Sequence, residues 1–392
     1  EELGRLFPGS IRQIRDFYEY IIDLYENVIS KAVVYMSPAE MRKRDLFLQL
    51  LRHPVRQIRT LNLLPKSAAF LFRKFVDDPE AEAFFNKLTS TYSYTSLEET
   101  PAIMAITMFV DNHVGGSYYP VGGSAAVPAR LEHAIEKHGG RIIYETRVSE
   151  ILFRNGRAVG VKTESGEEYR GDAVLYGGTI WNLYDRLIPP SIDIGAEGAS
   201  YRSMEPTYPS MVVYGAVDTS AIPPGTLPVE MLASADAGID ETEVTVYIPT
   251  LDDPTLAGAP GPAGGAAGVH LFLAIGPSLG HWPDRSSALY PEEKERQENR
   301  VLDLLEARFP GIKGKLRFVE TASPSTIERY LLKNRGAVAG PKQRIGQELM
   351  KRPRAKTRWP GLFLCGESTV MGTGTPAVTV SGISAANVIL RE

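Results

Sequence analysis

The chain has 392 residues, 43% of them hydrophobic and 23% charged, with a formal net charge of −4. This composition suits a globular protein with a large core divided into two or three domains. No apolar run reaches the roughly 18 residues of a membrane-spanning helix, and the first residues do not resemble a secretory signal. The single cysteine, Cys365, excludes intrachain disulfides and favours a cytoplasmic location. The histidines are scattered, so we predict no metal site.

The N-terminal part of the chain is predicted to be helical. Apolar side chains recur at spacings of three and four over residues 11–29, which is typical of an amphipathic helix. Ser10, with Gln13 three residues later, indicates a capping box at the start of this helix. Asp78, followed by a proline, predicts the start of a further helix.

Residues 42–74 are strongly basic, with nine lysines and arginines against one acid, Asp45. The segment therefore carries +8, and the rest of the chain must carry −12. Leucine and phenylalanine are interleaved with the cations, and this combination favours contact with a membrane surface. The alternative is a solvated helical face over a core. We predict no nucleic-acid partner, because the segment is leucine-rich and the whole chain is acidic.

The middle of the chain predicts two kinds of sheet. Strands are predicted over 141–153, and Asn155 with Gly156 is a strong hairpin signal that leads to a three-stranded meander. Beyond it, β-branched and aromatic runs predict antiparallel strands that begin at Met211, Val229, Val244 and Val269. The Ala-, Gly- and Pro-rich stretch 257–268 is predicted to be exposed and mobile. A helix near Pro291 should turn its apolar side inward.

The C-terminal part predicts a strand, a glycine loop and a helix. The apolar run 362–365 is typical of a strand buried in a parallel sheet, and Gly366 ends it. Pro376 suits the first turn of a helix, because it has no N–H to leave unpaired. Free N–H groups at a helix start favour an electron-rich ligand atom. Gly372 and Gly374 would let such a ligand come close.

Two motifs resemble one family. The string GESTVMGTGTPAVTV at 366–380 resembles the C-terminal flavin-binding motif of the FAD-dependent phytoene desaturase, carotenoid isomerase and retinol saturase group of amine oxidase-like flavoproteins. The GGSYYPVGG loop at 115–123, with the helix, strand and hairpin after it, resembles the same group. The resemblance implies an α/β, FAD/NAD(P)-binding-like fold, α+β in its substrate part. Its implied parts are a helical cap (1–110), an FAD-binding domain (111–199 and 340–392) and an antiparallel substrate domain (200–339).

The resemblance also implies a cofactor, FAD, and residues that contact it. Val148 would face the adenine through its backbone, and Gly366 with Glu367 would meet the ribityl and pyrophosphate part. Glu367 stands where many relatives have aspartate and keeps the acceptor. The pyrimidine edge of the flavin would meet the helix start, at Gly374, Thr375, Pro376, Ala377 and Val378.

Residues near the substrate are implied less directly. Tyr118 and Tyr119 of the glycine loop would lie towards the flavin ring or the substrate channel, unless they serve packing alone. Further candidate polar residues near the substrate are His113, Glu320 and Arg335, and the alternative for each is a structural role. No Ser-His-Asp or paired-carboxylate signature occurs, so we assign no catalytic residue.

The family opens with a strand, a G-x-G-x-x-G turn and a helix, and the resemblance begins after that unit. We expect a fragment, or a start that the sequence omits, rather than a dinucleotide-binding half on another chain. The implied function is hydride exchange between FAD and a carotenoid-like isoprenoid polyene, by desaturation, saturation or isomerisation. The alternatives are an FAD-dependent amine or amino-acid oxidase, with a polar or aromatic-caged pocket, and a non-catalytic subunit.

Overall fold

The computed structural model describes residues 2–29, 36–52, 54–233, 238–257 and 268–392. The helices there are α1 (Glu2–Leu6), α2 (Ile11–Leu24), α3 (Lys43–Arg52), α4 (Pro54–Leu63), α5 (Ala68–Arg73), α6 (Pro79–Ser93), α7 (Ala102–Val110), α8 (Ala126–Lys137), α9 (Ile180–Asn182), α10 (Gly195–Arg202), α11 (Leu289–Arg308), α12 (Pro324–Leu331) and α13 (Thr375–Ile389). The strands are β1 (Val148–Arg154), β2 (Arg157–Thr163), β3 (Glu168–Arg170), β4 (Val174–Tyr176), β5 (Ser210–Asp218), β6 (Val229–Leu232), β7 (Val244–Tyr247), β8 (Val269–Pro277), β9 (Leu316–Ala322) and β10 (Leu362–Leu364).

The chain forms two compact units. Unit 1 comprises Glu1–Gly116, Thr146–Thr207 and Ala339–Glu392, and unit 2 comprises Ser117–Glu145 and Tyr208–Val338. Among the helices described, none is both long enough and apolar enough to cross a bilayer.

An aromatic cluster holds the helical part of unit 1 together. The amphipathic helix predicted over 11–29 is confirmed as α2 followed by a π-helical turn, and α2 buries its apolar side. The Phe17 ring of α2 meets the rings of Phe72, Phe85 and Phe109 edge-on, with centroids 5.3, 5.9 and 6.3 Å apart. Edge-to-face rings attract each other beyond their apolar burial. The cluster therefore joins α2, α5, α6 and α7.

One aspartate caps α6, as its sequence predicts. The Asp78 carboxylate accepts hydrogen bonds from the N–H groups of Glu80 and Ala81, at 3.0 and 3.2 Å. The capping box predicted at Ser10 is wrong, because the Ser10 hydroxyl donates to Asp78 and does not cap α2. Gln13 instead accepts a hydrogen bond from the backbone of Asp77.

Asp78→Ala should destabilise the protein by about 1 kcal/mol at neutral pH, because α6 loses its N-cap. Hydrogen bonds from Ser10 and the backbone lower the pKa of Asp78 below its usual 3.8. A lowered folded-state pKa contributes stability above about pH 4, and this contribution disappears as the pH falls through the folded-state pKa. The drop in melting temperature from the wild type to Asp78→Ala should therefore be larger at neutral pH than at strongly acidic pH. Asp77→Ala is the control, and an equal loss at both pH values would contradict the capping role.

Two small sheets complete unit 1. The predicted meander β1-β2-β3 is confirmed, and Asn155 and Gly156 both adopt the positive φ of a tight hairpin turn. β10 pairs with β4 in parallel, with Leu364 opposite Tyr176, so the predicted parallel strand is also confirmed. The strand predicted over 141–147 is wrong. That segment pairs with no described strand, and a strand needs a partner for its backbone groups.

Unit 2 contains a five-stranded antiparallel sheet in the order β6-β7-β8-β5-β9. The predicted strands β5 to β8 are confirmed, whereas the sequence pattern does not predict β9. The predicted inward-turned helix is confirmed as α11, which packs on one face of the sheet over a buried core that includes Met211, Val213, Val301 and Leu305. The mobile stretch predicted over 257–268 lies outside the described residues, apart from its two ends.

A glycine and a phenylalanine interlock within this sheet. Gly215 of β5 lies directly opposite Phe272 of β8. A Cβ atom on Gly215 would lie 2.1 Å from two atoms of the Phe272 ring. The ring therefore covers the space that a side chain at Gly215 would fill.

Candidate functional site

The parallel strands β4 and β10 end side by side. Leu364 pairs with Tyr176, and the next N–H, that of Cys365, donates to the Tyr176 carbonyl across 2.9 Å. All three residues of β10 are buried. In α/β folds, ligands bind at the carboxyl ends of parallel strands. The turn after β10 therefore occupies a position where this fold class holds ligands.

Gly366 forms that turn. Its φ is +86°, and a Cβ atom there would lie 3.2 Å from the Gly177 carbonyl oxygen. Its N–H donates to Ser381 Oγ of α13 at 3.0 Å, and its carbonyl accepts from Thr369 Oγ1 at 2.8 Å. The turn is thus fixed to α13 and to its own loop through two side chains.

Arg352 lies beneath the loop and is fully buried. Its guanidinium donates to the carbonyl oxygens of Glu367, Thr369 and Pro341, at 2.5, 2.8 and 2.9 Å. Burial lowers the pKa of Arg352 to about 10, whereas the negative Glu367 favours the charged form. The sequence does not predict Arg352 as a site residue, since its position in the chain does not indicate that it points inward.

Glu367 is half-buried, and its side chain packs against the backbone of Gly340. A Cβ atom on Gly340 would lie 3.0 Å from Cγ and Oε1 of Glu367, so the carboxylate packs where a side chain is missing. Burial, and then the charge of Glu367, raise the pKa of Tyr176. An acidic acceptor therefore stands at the carboxyl edge of β4 and β10.

The start of α13 is open. Gly374 occupies the N-cap position with φ +105°, and no side chain caps the helix. A Cβ atom on Gly374 would meet nothing within 4 Å. Gly374, Thr375 and Pro376 are exposed, whereas Ala377 and Val378 are partly buried. Because the first N–H groups of a helix have no intrahelical acceptor, this end can hold an electron-rich atom.

Val148 lies on the neighbouring sheet of unit 1. It begins β1 opposite Thr163 of β2, and its side chain packs against the core that includes Leu364. Unit 1 therefore contains every residue predicted to bind the cofactor, and most of them lie on the single loop and helix after β10.

His113 lies in the helical part of the same unit. It follows α7 in a π-helical turn, and its ring stacks on Phe109. Its Nδ1 lies 2.5 Å from the Tyr18 hydroxyl, and its Nε2 lies 3.4 Å from the Tyr92 hydroxyl. Partial desolvation of the ring by its aromatic neighbours lowers the pKa of His113, although the residue stays partly exposed, and this favours the neutral imidazole. Both ring nitrogens are therefore engaged by tyrosines.

The other predicted substrate residues lie on separate elements of unit 2. Tyr118 is 90% exposed, and Tyr119 is also exposed, on the glycine loop. Glu320 of β9 accepts a hydrogen bond from Lys294 of α11 at 2.7 Å, which lowers the pKa of Glu320. Arg335 is exposed, in a turn where its φ is +54°.

The sheet of unit 2 has a second face, on the side away from the buried core under α11. Directly paired residues share a face. Register therefore defines one row across all five strands: Val229, Tyr247, Leu273, Tyr214 and Glu320. We call this set the cross-strand row. Glu320 ends the row on the edge strand β9, and its carboxylate is the one that Lys294 of α11 binds. Phe318, Ala216 and Leu271 form the next row.

This second face is partly open. Tyr214 is 41% exposed and Phe318 is 56% exposed, so apolar surface of the sheet remains accessible. The sequence does not predict the cross-strand row, because the row joins residues that are far apart along the chain.

Comparison with known proteins identifies the family. Residues 61–390 match the family described as flavin containing amine oxidoreductase. The chain belongs to this family. Prolycopene isomerase 1 of an Oncidium hybrid cultivar is 28% identical over 397 residues, covering 100% of this chain and 65% of that protein. Phytoene desaturase of Phycomyces blakesleeanus is 27% identical over 310 residues, covering 74% of this chain and 51% of that protein.

This family member also has the expected fold. Wild-type putrescine oxidase bound to putrescine superimposes with a TM-score of 0.60 at 14% identity, covering 97% of this chain and 76% of that one. The predicted class, a mixed α/β flavoprotein fold with an antiparallel sheet, is confirmed. The resemblance to the carotenoid isomerase and desaturase group is confirmed as well. The chain spans 65% of the length of the Oncidium isomerase.

Proposed function

We propose that this chain is an FAD-dependent oxidoreductase that acts on a carotenoid or a related isoprenoid polyene. The reaction is desaturation, saturation or isomerisation through hydride exchange with the flavin. Family membership supports the flavin, and the names of the relatives, prolycopene isomerase and phytoene desaturase, support the substrate class. A cytoplasmic location with peripheral membrane contact through residues 42–74 belongs to the same proposal.

The observation that carries the substrate class is the cross-strand row. Four strand spacings separate Val229 from Glu320, which is about 19 Å. Apart from Glu320 at one end, the row presents valine, leucine and two tyrosine rings. An extended apolar molecule could lie along it and bury its length, whereas a small amine would contact only a fraction of it. The side chains would orient the polyene and exclude water.

FAD fits the residues at the carboxyl edge of β4 and β10. The open space at Gly374 and the uncapped start of α13 suit the electron-rich edge of a flavin. Glu367 and the Gly366 turn would meet the ribityl and pyrophosphate part, and Val148 the adenine. FAD supplies the hydride acceptor or donor when bound. Arg352 would keep the loop, and with it Glu367, in place.

No catalytic base is assigned. His113, with both ring nitrogens engaged and a lowered pKa, would contribute a neutral polar group rather than a charge. Tyr118, Tyr119, Glu320 and Arg335 remain predictions for contacts with the substrate.

The experiment is conversion of a cis-configured polyene by the chain loaded with FAD, followed by chromatography under oxidising and reducing conditions. Tyr214→Asp places a carboxylate in the cross-strand row and should raise KM about tenfold or more, because the apolar substrate would have to desolvate it. Leu227→Asp, at another exposed position of unit 2, is the matched control.

Three outcomes would contradict the proposal. Equal KM values for the two variants would place the substrate elsewhere. Oxidation of amines in place of polyenes would identify an amine oxidase on the same fold. A chain that retains no flavin would correspond to a non-catalytic subunit.

A further inference from the structure

Two consecutive helices of unit 1 turn large apolar side chains outward. α3 and α4 have ten residues each. The exposed fractions lie between 48% and 62% for Phe47, Leu48, Leu51, Val55, Ile58 and Leu61, which together we call the α3–α4 face. Single exposed apolar residues are common on protein surfaces, whereas six of them on two consecutive helices indicate a surface that meets a partner.

The spacing groups these side chains on one side of each helix. Phe47, Leu48 and Leu51 fall on one side of α3, and Val55 and Ile58 lie three residues apart on α4. Pro54 begins α4, because a proline cannot donate the hydrogen bond that would continue α3. Each helix is about 15 Å long, roughly half of the hydrocarbon thickness of a bilayer. A helix of this length can lie in a membrane interface but cannot cross the membrane.

The charges beside the α3–α4 face indicate which partner fits. Lys43, Arg44 and Arg59 are exposed and form no ion pair with another side chain in the part of the chain that is described. Arg73, further along, is instead neutralised by Glu82 and Glu98. Cations beside an apolar face complement an anionic leaflet, since acyl chains take the apolar groups and phosphates take the charges.

We propose that the α3–α4 face docks on an anionic phospholipid membrane. Phe47, Leu51 and Ile58 enter the boundary between headgroups and acyl chains, and Lys43, Arg44 and Arg59 contact lipid phosphates. This docking proposal rests on the membrane contact in the proposed function. It adds the residues that make the contact and the class of lipid that they meet. It stands apart from the redox chemistry, because docking requires neither flavin nor polyene.

The test is flotation of the purified 392-residue chain with vesicles of equal parts phosphatidylcholine and phosphatidylserine, and with vesicles of phosphatidylcholine alone. The chain should float with the anionic vesicles and largely stay behind with the neutral ones. Phe47→Ser combined with Leu51→Ser should lower the bound fraction about tenfold. Lys43→Glu combined with Arg44→Glu should remove the preference for anionic lipid, and added salt should weaken the binding of the wild type more than that of this variant.

Matched controls separate the surface from general effects. Leu227→Ser removes an equally exposed apolar side chain, and Lys137→Glu reverses an exposed charge, both outside the α3–α4 face. Both should float as the wild type does. The proposal would be overturned if the α3–α4 variants floated as well as the wild type, or if the wild type floated with neither kind of vesicle. A dimer in light scattering that the serine variants dissociate would also overturn it, because the face would then join two copies. Flavin retention, measured on the same samples, reports separately on the proposed chemistry.

Discussion

Arg352→Met should unfold the loop after β10 and cost about 3 to 5 kcal/mol of stability, because three carbonyl oxygens around the buried guanidinium lose their donor. These carbonyls belong to Glu367, Thr369 and Pro341, so the loss falls on the segment that would hold the flavin. We expect both a large drop in melting temperature and loss of retained FAD after gel filtration. Thermal melts with and without FAD provide the measurement.

Two further variants of this segment test whether the loss of stability and of FAD comes from the missing hydrogen bonds of Arg352. Arg352→Lys keeps a charge but cannot reach three acceptors, and should fall between the methionine variant and the wild type. Arg354→Met changes an exposed arginine two residues away and should leave both readouts unchanged. A methionine variant that melts with the wild type would show that the buried guanidinium does not hold the loop.

Gly374→Ala should weaken FAD binding about tenfold or more, because the added methyl group points into the open space where the flavin would approach the start of α13. The substitution also strains the backbone, since φ is +105° at this position. A control must therefore separate the effect of backbone strain from the effect of the methyl group on the space for the flavin. Titration of flavin fluorescence against each variant measures the affinity.

Gly225→Ala is the matched control. Gly225 has φ +85°, and a methyl group added there would also point into open space, but this glycine lies in a turn of unit 2. Both alanine variants should lower the melting temperature by similar amounts, and only Gly374→Ala should lose flavin. If both bind FAD as tightly as the wild type, the flavin does not approach this end of α13.

Local signals in the sequence predict much of the fold. β10, α13, the Asn155–Gly156 hairpin and the strands β5 to β8 each follow from a short pattern of apolar, glycine and proline residues. The same patterns miss β9, because it is an edge strand whose charged residues, Arg317 and Glu320, hide its alternation. The strand predicted over 141–147 is wrong for the opposite reason, because the segment has the apolar pattern of a strand but pairs with no strand of the described chain.

The candidate site is predictable only where it is local. Gly366, Glu367 and the start of α13 follow one another along the chain, and the family resemblance implies their roles. Arg352 acts through carbonyl oxygens that no sequence pattern links to it. The cross-strand row depends on register, because Tyr247, Leu273 and Tyr214 become neighbours only when three strands pair.

The close packing of the Phe272 ring over Gly215 limits which substitutions this sheet can accept during evolution. Any larger residue at position 215 would clash with the Phe272 ring, and a smaller residue at position 272 would leave a cavity beside Gly215. Each single substitution is therefore costly, although an exchange of both could restore the packing. Across divergent relatives, these two positions should be substituted as a pair, with a bulky residue passing from one strand to the other.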